Sequence, residues 1–245
     1  KGVYREEPHA FSLIFSAPQE SIPSILPLSP SQRDSMASDS AWINWMDYTL
    51  VQSNTSHDTL TFWLTDSLAI GQDSIYLEMT YLISDSLYQL VPQRDTILAV
   101  YRRPRMSEKA WESQQSQKRA RTLELKSNAS SQFEIYDTLR IHSVFPVDSV
   151  DSDKIRLVQQ VDTTKRILSY ELIACDSLRQ TLVLLTKLEP EQSYVLTIDS
   201  AAMYDIYGKC NDSIDYKLKL KSLDEYSTLL VKMTHFDARA RIQLL

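Results

Sequence analysis

One stretch of the chain, Leu188 to Ile214, constrains the fold most strongly, because it combines a turn, a strand and a second turn. After Pro190, apolar residues recur at every second position from Tyr194 to Ile198, which is the pattern of a half-buried strand. Pro190 and Tyr194 have the spacing of a tyrosine corner, whose ring packs in the core while its hydroxyl bonds back to the preceding turn. Gly208 supplies a positive φ before the next strand. We therefore predict an antiparallel β-sandwich in which Pro190, Tyr194 and Gly208 have structural roles.

Glycine is scarce, with three copies in 245 residues, whereas it makes up roughly 7% of an average protein. Other residues must therefore close the turns. Asp followed by Ser or Thr occurs fourteen times, mostly just before an alternating apolar run. Such side chains bond nearby backbone N–H groups and close turns without glycine. We interpret these pairs as turn-closing residues rather than as metal-binding or catalytic carboxylates.

Alternating runs lie on both sides of a polar segment, residues 106–120, and little of the chain has a helical pattern. In the first half the predicted strands are Phe11–Phe15, Thr59–Leu64, Ser74–Leu82, Leu87–Val91 and Thr96–Tyr101. In the second half they are Thr122–Lys126, Phe133–Tyr136, Leu139–Phe145, Ile155–Val161, Ile167–Ala174, Thr181–Thr186, Tyr194–Ile198 and Ile214–Leu220. Strands at such short spacings with turn residues between them favour a sandwich.

The two halves repeat, which indicates a duplicated module. Thr59, Tyr76 and Ile97 align with Thr181, Tyr194 and Ile214 at offsets of 117 to 122. We predict an all-β chain of two tandem Ig-like antiparallel β-sandwich domains, at 1–105 and 121–223, joined by a polar linker at 106–120. Residues 224–245 are expected to add strands, either as the start of a truncated third module or as extra pairing onto the second domain.

Charge and hydropathy limit the classes of partner that we expect this chain to bind. The net charge of −6 and pI of about 5.3 argue against nucleic acid or an anionic membrane surface as the main partner. No apolar run approaches the roughly 20 residues of a membrane span, so the chain itself is not expected to cross a membrane. It starts at Lys1 without Met and ends in an apparent strand, and we interpret it as a fragment of a longer protein.

Residues Thr122–Ser222 resemble the bacterial Ig-like modules named after the S-layer protein SbsA, as found in cell-envelope proteins of Bacteroidetes. The matching segments are Ile135–Leu139, Phe145-Pro146-Val147, Asp153–Leu157, Leu188-x-Pro190 with Tyr194, and Asp205–Gly208 followed by Asn211-Asp212. Residues 1–105 resemble the preceding module of such proteins more loosely. The lysine and cysteine at positions 209 and 210 depart from the plain polar turn expected there.

The resemblance implies a non-enzymatic structural or interaction module, a spacer or binding scaffold, with no catalytic residues and no cofactor. It also implies an exported protein of the periplasm or cell surface, often lipid-anchored, whose partners are protein or glycan of the envelope. The alternative is a carbohydrate-binding module that uses Trp42 or Trp45 as a stacking platform. Core packing is the competing interpretation of both tryptophans, since Trp is usually mostly buried.

Two groups of residues remain as candidates for other chemistry. Asp148, Asp151 and Asp153 place alternating oxygens in one turn, which suits Ca²⁺, but the segment lacks the glycine and distal Glu of an EF-hand loop. In the Ig-like order, Cys175 and Cys210 fall in loops at one end of the sandwich, so a disulfide is conceivable in an exported protein. The facing sheets are about 10 Å apart, which favours free thiols. None of the four histidines has metal-ligand spacing.

Overall fold

A computed structural model describes residues 2–5, 9–18, 23–34, 44–101, 122–161 and 164–228, and the single positions 107, 109, 113, 230 and 232. Trp42, most of the predicted linker and residues 233–245 of the predicted C-terminal strands lie outside these residues. The described chain is nearly all β, with several antiparallel sheets, which confirms the predicted fold class. No helix in the described ranges has the length and apolarity needed to cross a membrane.

The N-terminal unit, defined here as the described residues from 2 to 101, consists of two sheets. Its strands are β1 (Gly2–Arg5), β2 (Ala10–Ile14), β3 (Ser24–Pro27), β4 (Thr49–Ser53), β5 (Thr59–Leu64), β6 (Ser74–Ser84) and β7 (Leu90–Tyr101). One sheet has the order β2-β5-β4 and the other β1-β7-β6-β3, with β1 parallel to β7 and the remaining pairs antiparallel. Two helical turns, α1 (Pro30–Arg33) and α2 (Ser67–Ile70), connect strands.

The C-terminal unit, defined as the described residues from 122 to 228, contains two four-stranded sheets and one small sheet. Its strands are β8 (Leu125–Ser127), β9 (Leu139–Ser143), β10 (Val147–Val150), β11 (Ile155–Val161), β12 (Thr164–Leu168), β13 (Glu171–Ala174), β14 (Thr181–Leu185), β15 (Ser193–Ile198), β16 (Met203–Asp205) and β17 (Ile214–Lys219). The sheet orders are β13-β14-β9-β8, β12-β11-β15-β17 and β10-β16.

Both units have the strand order of the immunoglobulin fold, in which strands A, B, E and D form one sheet and C, F and G the other. In the N-terminal unit, β2, β5 and β4 correspond to B, E and D, and β3, β6 and β7 to C, F and G. In the C-terminal unit, β8, β9, β14 and β13 correspond to A, B, E and D, and β11, β15 and β17 to C, F and G. The segments that the sequence aligned between the halves therefore occupy equivalent strands, β5 with β14, β6 with β15 and β7 with β17.

Each unit has its own hydrophobic core, built from the inward-facing positions of its two larger sheets. Phe62 and Leu77 face each other across the N-terminal core, and Ile141 and Leu196 across the C-terminal core. All four side chains are inaccessible to solvent. Burying such a side chain contributes about 1.5–3 kcal/mol, so the alternating apolar residues supply the main force that holds the sheets together.

Several predicted elements were wrong in detail. The run Thr96–Tyr101 and the end of the run Leu87–Val91 form one continuous strand, β7, which pairs with β6 over its whole length as a long hairpin, whereas Leu87–Gln89 lie in the turn. Pro92 does not end the strand. The neighbouring strand β1 pairs only with the far end of β7, Leu98–Tyr101, so no hydrogen bond to β1 needs the N–H that proline lacks. Phe133–Tyr136 is a bridge and turn rather than a strand.

The C-terminal segment after Ser222 also differs from expectation. A 3₁₀ turn spans Leu223–Glu225, and the described residues from 226 to 232 form no strand. Instead, the Tyr226 hydroxyl accepts a hydrogen bond from Ile135 N–H (3.0 Å) and donates one to Glu134 (2.5 Å). The Lys221 ammonium pairs with the same Glu134 carboxylate. These contacts hold residues 221–226 against the C-terminal unit.

Four connections share one turn design that replaces glycine. In each, an Asp or Asn side chain accepts backbone N–H bonds from the turn it opens, and the third residue after it has a positive φ. The pairs are Asn54 with His57, Asp85 with Tyr88, Asp176 with Arg179, and Asp205 with Gly208. Only the last uses glycine at the left-handed position. A left-handed residue with a side chain costs roughly 1–2 kcal/mol, and the carboxylate or amide bonds offset that cost.

We expect Asp176→Ala to destabilise the protein by about 2–3 kcal/mol, because a charged acceptor is lost from several backbone donors. The Asp176 carboxylate accepts from Leu178 N–H (3.0 Å), Gln180 N–H (3.0 Å) and Thr181 N–H (2.8 Å). Urea unfolding of the variant measures the change. Asp85→Ala is the matched comparison, since that carboxylate accepts two such bonds in an exposed hairpin. Equal losses in the two variants would contradict this account.

Candidate functional site

The predicted structural residues lie around the start of β15. Tyr194 is buried, and its hydroxyl accepts a hydrogen bond from Glu189 N–H at 2.8 Å. Pro190 lies in the turn between them, and Glu191 follows it with a φ of +62°. Burial raises the pKa of the Tyr194 hydroxyl. Gly208 has a φ of +76°, and a Cβ there would meet no atom within 4 Å, so conformation alone favours glycine at this position.

Tyr194→Phe is expected to lower the free energy of unfolding by about 1–3 kcal/mol, because the half-buried Glu189 N–H would lose its acceptor. Chemical denaturation compares the variant with the wild type. Tyr136→Phe is the control, since the Tyr136 ring is 79% exposed and its hydroxyl has no hydrogen bond to a described residue. A loss no larger than that of the control would show that the corner bond contributes little.

Trp45 is not the exposed platform that a carbohydrate-binding surface would need. It begins a 3₁₀ turn, Trp45–Tyr48, rather than lying on a strand, and only 1% of its surface is exposed. Its ring packs edge-on against Phe11 and Phe62, and its Nε1 donates to Tyr76 O at 3.4 Å. The hypothesis that Trp45 stacks on sugars is therefore wrong, because the ring is part of the N-terminal core. Trp42 lies outside the described residues.

Of the three candidate metal ligands, Asp148 lies in β10, and Asp151 and Asp153 lie in the connection from β10 to β11. Asp151 caps a short 3₁₀ turn, accepts from Asp153 N–H (3.2 Å) and pairs with Lys154 (3.3 Å). Asp153 lines an open depression of about 710 Å³ that also includes Tyr170 and Glu171. Among the described residues, no three His, Cys, Asp or Glu side chains are grouped so that they could hold a metal ion. Of the three carboxylates, that of Asp151 is used in forming the turn.

The two cysteines are free thiols in the structure. Cys175 is exposed in the turn between β13 and β14, and Cys210 is partly buried between β16 and β17. Each takes part in the turn through its backbone: Cys175 N–H donates to Thr181 O, and Cys210 O accepts from Leu123 N–H, at 2.9 Å and 2.8 Å.

The most developed cluster of polar and aromatic contacts lies between the two units, and we call it the joint. It comprises His9, Gln52, Trp63 and Leu64 of the N-terminal unit and Val144, Phe145, Gln180 and Tyr207 of the C-terminal unit. His9 and Leu64 lie at one end of the N-terminal unit, where β2 starts and β5 ends, and Trp63 and Gln52 lie further along the same sheet, on β5 and β4. The second group comes from the connections after β9, before β14 and before β17, which are the B–C, D–E and F–G loops.

Tyr207 makes the central polar contact of the joint. Its hydroxyl lies 3.1 Å from Leu64 O and 3.4 Å from His9 O, and it donates to these carbonyls of the N-terminal unit. The Asp205 turn positions the ring, because the Asp205 carboxylate accepts from Tyr207 N–H (2.9 Å) and Lys209 N–H (2.8 Å). Burial, and secondarily the negative charge of Asp205, raise the pKa of the Tyr207 hydroxyl.

Aromatic rings surround this hydroxyl. The His9 ring lies 5.1 Å from the Tyr207 ring and 5.3 Å from the Phe145 ring, measured between centroids. Phe145 in turn lies 6.1 Å from Trp63, edge-on. Pairs in these arrangements contribute about 0.5–1.5 kcal/mol beyond their buried area, so the joint is held by packing as well as by hydrogen bonds.

A chain of amides forms a second contact across the joint. Trp63 Nε1 donates to Gln52 Oε1 (3.2 Å), Gln52 Nε2 donates to Gln180 Oε1 (2.7 Å), and Gln180 Nε2 donates to Val144 O (2.9 Å). The Asp176 turn holds the Gln180 backbone in place. Two of the four turns that an Asp or Asn side chain closes, those of Asp176 and Asp205, therefore position the side chains that meet the N-terminal unit.

We expect the free energy of unfolding to fall less steeply with pH in Tyr207→Phe than in the wild type above about pH 10, the ordinary pKa of tyrosine. The folded state holds this proton more tightly than the unfolded chain, so its stabilising effect is complete below that pH. As pH rises further, the unfolded state loses the proton first and stability declines. Denaturation at a series of alkaline pH values measures both slopes, and parallel slopes would contradict the expectation.

Sequence reasoning did not anticipate the joint. Its residues come singly or in adjacent pairs from six separate segments, and no spacing links them. One signal was present: Asp85–Gln89 and Asp176–Gln180 share the pattern Asp-Ser-Leu-x-Gln. That pattern predicts the turn geometry, but the partner of Gln180 depends on how the two units meet.

No family model matches the sequence, and no curated protein matches it. The structure is similar to the N-terminal part of the bacterial S-layer protein SbsC, with a TM-score of 0.32 and 15% identity over 46% of this chain and 26% of that one. It is also similar to Dpr2 Ig1–Ig2, solved in complex with DIP-Theta Ig1–Ig3, with a TM-score of 0.23 and 10% identity over 91% of this chain and 95% of that one. The chain thus spans about a quarter of the S-layer structure, and at these levels of similarity neither neighbour defines a family for it.

Proposed function

We propose that this chain is a non-enzymatic structural module of an exported cell-envelope protein, in which two Ig-like units act together as a stiff spacer. The observation that carries the proposal is the joint, because it connects the end of one sandwich to three loops of the next. A spacer needs fixed orientation between its units, and contacts at several separated points supply it. As part of this proposal, the two units are separate domains with the predicted limits 1–105 and 121–223.

The use of the loops supports a structural role. In immunoglobulin variable domains, the B–C and F–G loops at one end of the sandwich bind ligands. Here those loops carry Phe145 and Tyr207, whose side chains contact the N-terminal unit. The end of the C-terminal unit that such domains use for recognition is therefore occupied within the chain itself.

The resemblance to SbsA-type modules supports the envelope location and a protein or glycan partner. Lipid anchoring of a longer parent protein belongs to the same expectation. The acidic net charge of −6 accords with a partner other than nucleic acid.

Distance measurements between spin labels test the spacer. Labels at Thr55→Cys and Lys187→Cys, in a background with Cys175→Ser and Cys210→Ser, lie on exposed turns of the two units and replace no residue of the joint. We expect one narrow distance distribution for the otherwise unchanged chain. Tyr207→Ala should broaden it, because the hydroxyl and ring contacts across the joint are lost.

Tyr136→Ala serves as the matched control, since this tyrosine of the same unit is exposed away from the joint. Its distribution should keep the narrow width. A broad distribution in the parent chain would reject the spacer, and equal broadening by both variants would show that the joint residues do not set the orientation.

A further inference from the structure

The tip of the β6–β7 hairpin exposes a concentration of apolar side chains. Leu87, Tyr88 and Leu90 are 73%, 91% and 52% exposed, and Ile83 is also exposed beside them. Soluble monomers rarely expose such groups together without an interaction role. Within the described residues, β3 pairs with β6 only as far as Thr80, so the hairpin continues past its neighbouring strand.

The tip is also held in one conformation. The Asp85 carboxylate accepts from Leu87 N–H (2.8 Å) and Gln89 N–H (2.9 Å), and Tyr88 has a φ of +60°. A preformed tip loses little conformational freedom on binding, which favours association. Because β5 ends at the joint and β6 starts at that same end, β6 leads away from the joint and the tip lies at the far end of the unit.

Charge indicates what kind of surface the tip fits. Residues 34–93 contain eight Asp and Glu and no Lys or Arg. An anionic membrane would repel such a segment. A fitting partner must offer apolar area bordered by positive charge.

The C-terminal unit carries a surface of this kind on the outer face of the sheet β12-β11-β15-β17. One row of neighbouring residues crosses the four strands, and its side chains point away from the core, opposite to those of the buried Leu157 and Leu196. The row consists of Ile167, Val158, Val195 and Lys217. In the next row on the same face, the two outermost residues are Lys165 and Lys219. Lys165, Lys217 and Lys219 form no ion pair with a described residue. We call these two rows the basic face.

We propose that the hairpin tip of one chain docks on the basic face of a second copy of the same chain. The exposed Leu87 and Tyr88 would cover the apolar row around Ile167, while the acidic unit behind the tip approaches the lysines. Tip and face are different surfaces, so the contact is heterologous and propagates head to tail. This association stands apart from the spacer role and does not depend on it.

A single hairpin tip buries less than the roughly 1,200 Å² typical of stable complexes, so the association should be weak. Sedimentation velocity of the full chain, from about 10 μM to about 1 mM, should show the average mass rising with concentration. Added salt should reduce the effect, because exposed charges are screened. A chain that stays monomeric throughout this range overturns the proposal.

Two variants remove the two halves of the contact. Leu87→Ser with Tyr88→Asn removes the apolar tip while keeping residues that suit the turn, and Lys217→Glu with Lys219→Glu reverses the charge of the basic face. Each should weaken self-association by about tenfold or more. Leu68→Ser is the control, since Leu68 is an exposed leucine of the N-terminal unit outside the tip, and it should associate like the wild type.

Mixing the two variants distinguishes this contact from others. Each retains the half that the other lacks, so the mixture should form one-to-one dimers while each variant alone stays monomeric. Failure to form dimers on mixing, or equal weakening by Leu68→Ser, overturns the proposal. Tip-dependent sedimentation with phosphatidylcholine–phosphatidylglycerol vesicles would assign the tip to a membrane instead and would overturn it as well.

Discussion

The structure depends on side chains that accept hydrogen bonds from the backbone at its turns. With three glycines in 245 residues, the chain has few positions that enter the left-handed region without cost. Asp85, Asp176, Asp205 and Asn54 instead satisfy turn N–H groups and hold the following left-handed residue in place. Each bond to a carboxylate contributes about 1.5–3 kcal/mol, which exceeds the cost of one left-handed side chain. The hairpins can therefore be tight although the chain is poor in glycine.

The same device determines where functional side chains lie. The Asp205 turn positions Tyr207, the Asp176 turn positions Gln180, and the Asp85 turn positions Tyr88. The first two residues contact the N-terminal unit, and the third stands at the opposite end of that unit. A turn that serves only to reverse the chain would not need a defined side chain at these positions. In this molecule the turns also define the surfaces that the units present.

The sequence predicted those features that depend on local pattern. Alternating apolar residues indicated β5 and β15 within a residue of their observed limits, and Asp-Ser pairs indicated turns at Asp85 and Asp176. The sequence did not predict features that depend on tertiary context. Trp45 belongs to the core although it lies in a 3₁₀ turn, because its ring packs against Phe11 and Phe62. Pro92 is accommodated inside β7 because β6 is the only described strand that pairs with β7 at that position. The sequence did not predict the joint for the same reason, because its contacts connect residues as far apart in the chain as His9 and Tyr207.

The placement of the joint limits where this chain can recognise anything else. Ig-like sandwiches offer two loop ends, two sheet faces and their edges as binding surfaces. The joint covers one loop end of the C-terminal unit, and the 221–226 segment packs near its other end through Tyr226 and Lys221. Within the part of the chain that the structure describes, sheet face remains open on that unit, and on the N-terminal unit the end that carries the β6–β7 hairpin remains open. Besides the open depression at Asp153 and Tyr170, the surfaces left for further interactions are flat sheet faces and a protruding hairpin, which suit extended assemblies better than enclosed small ligands.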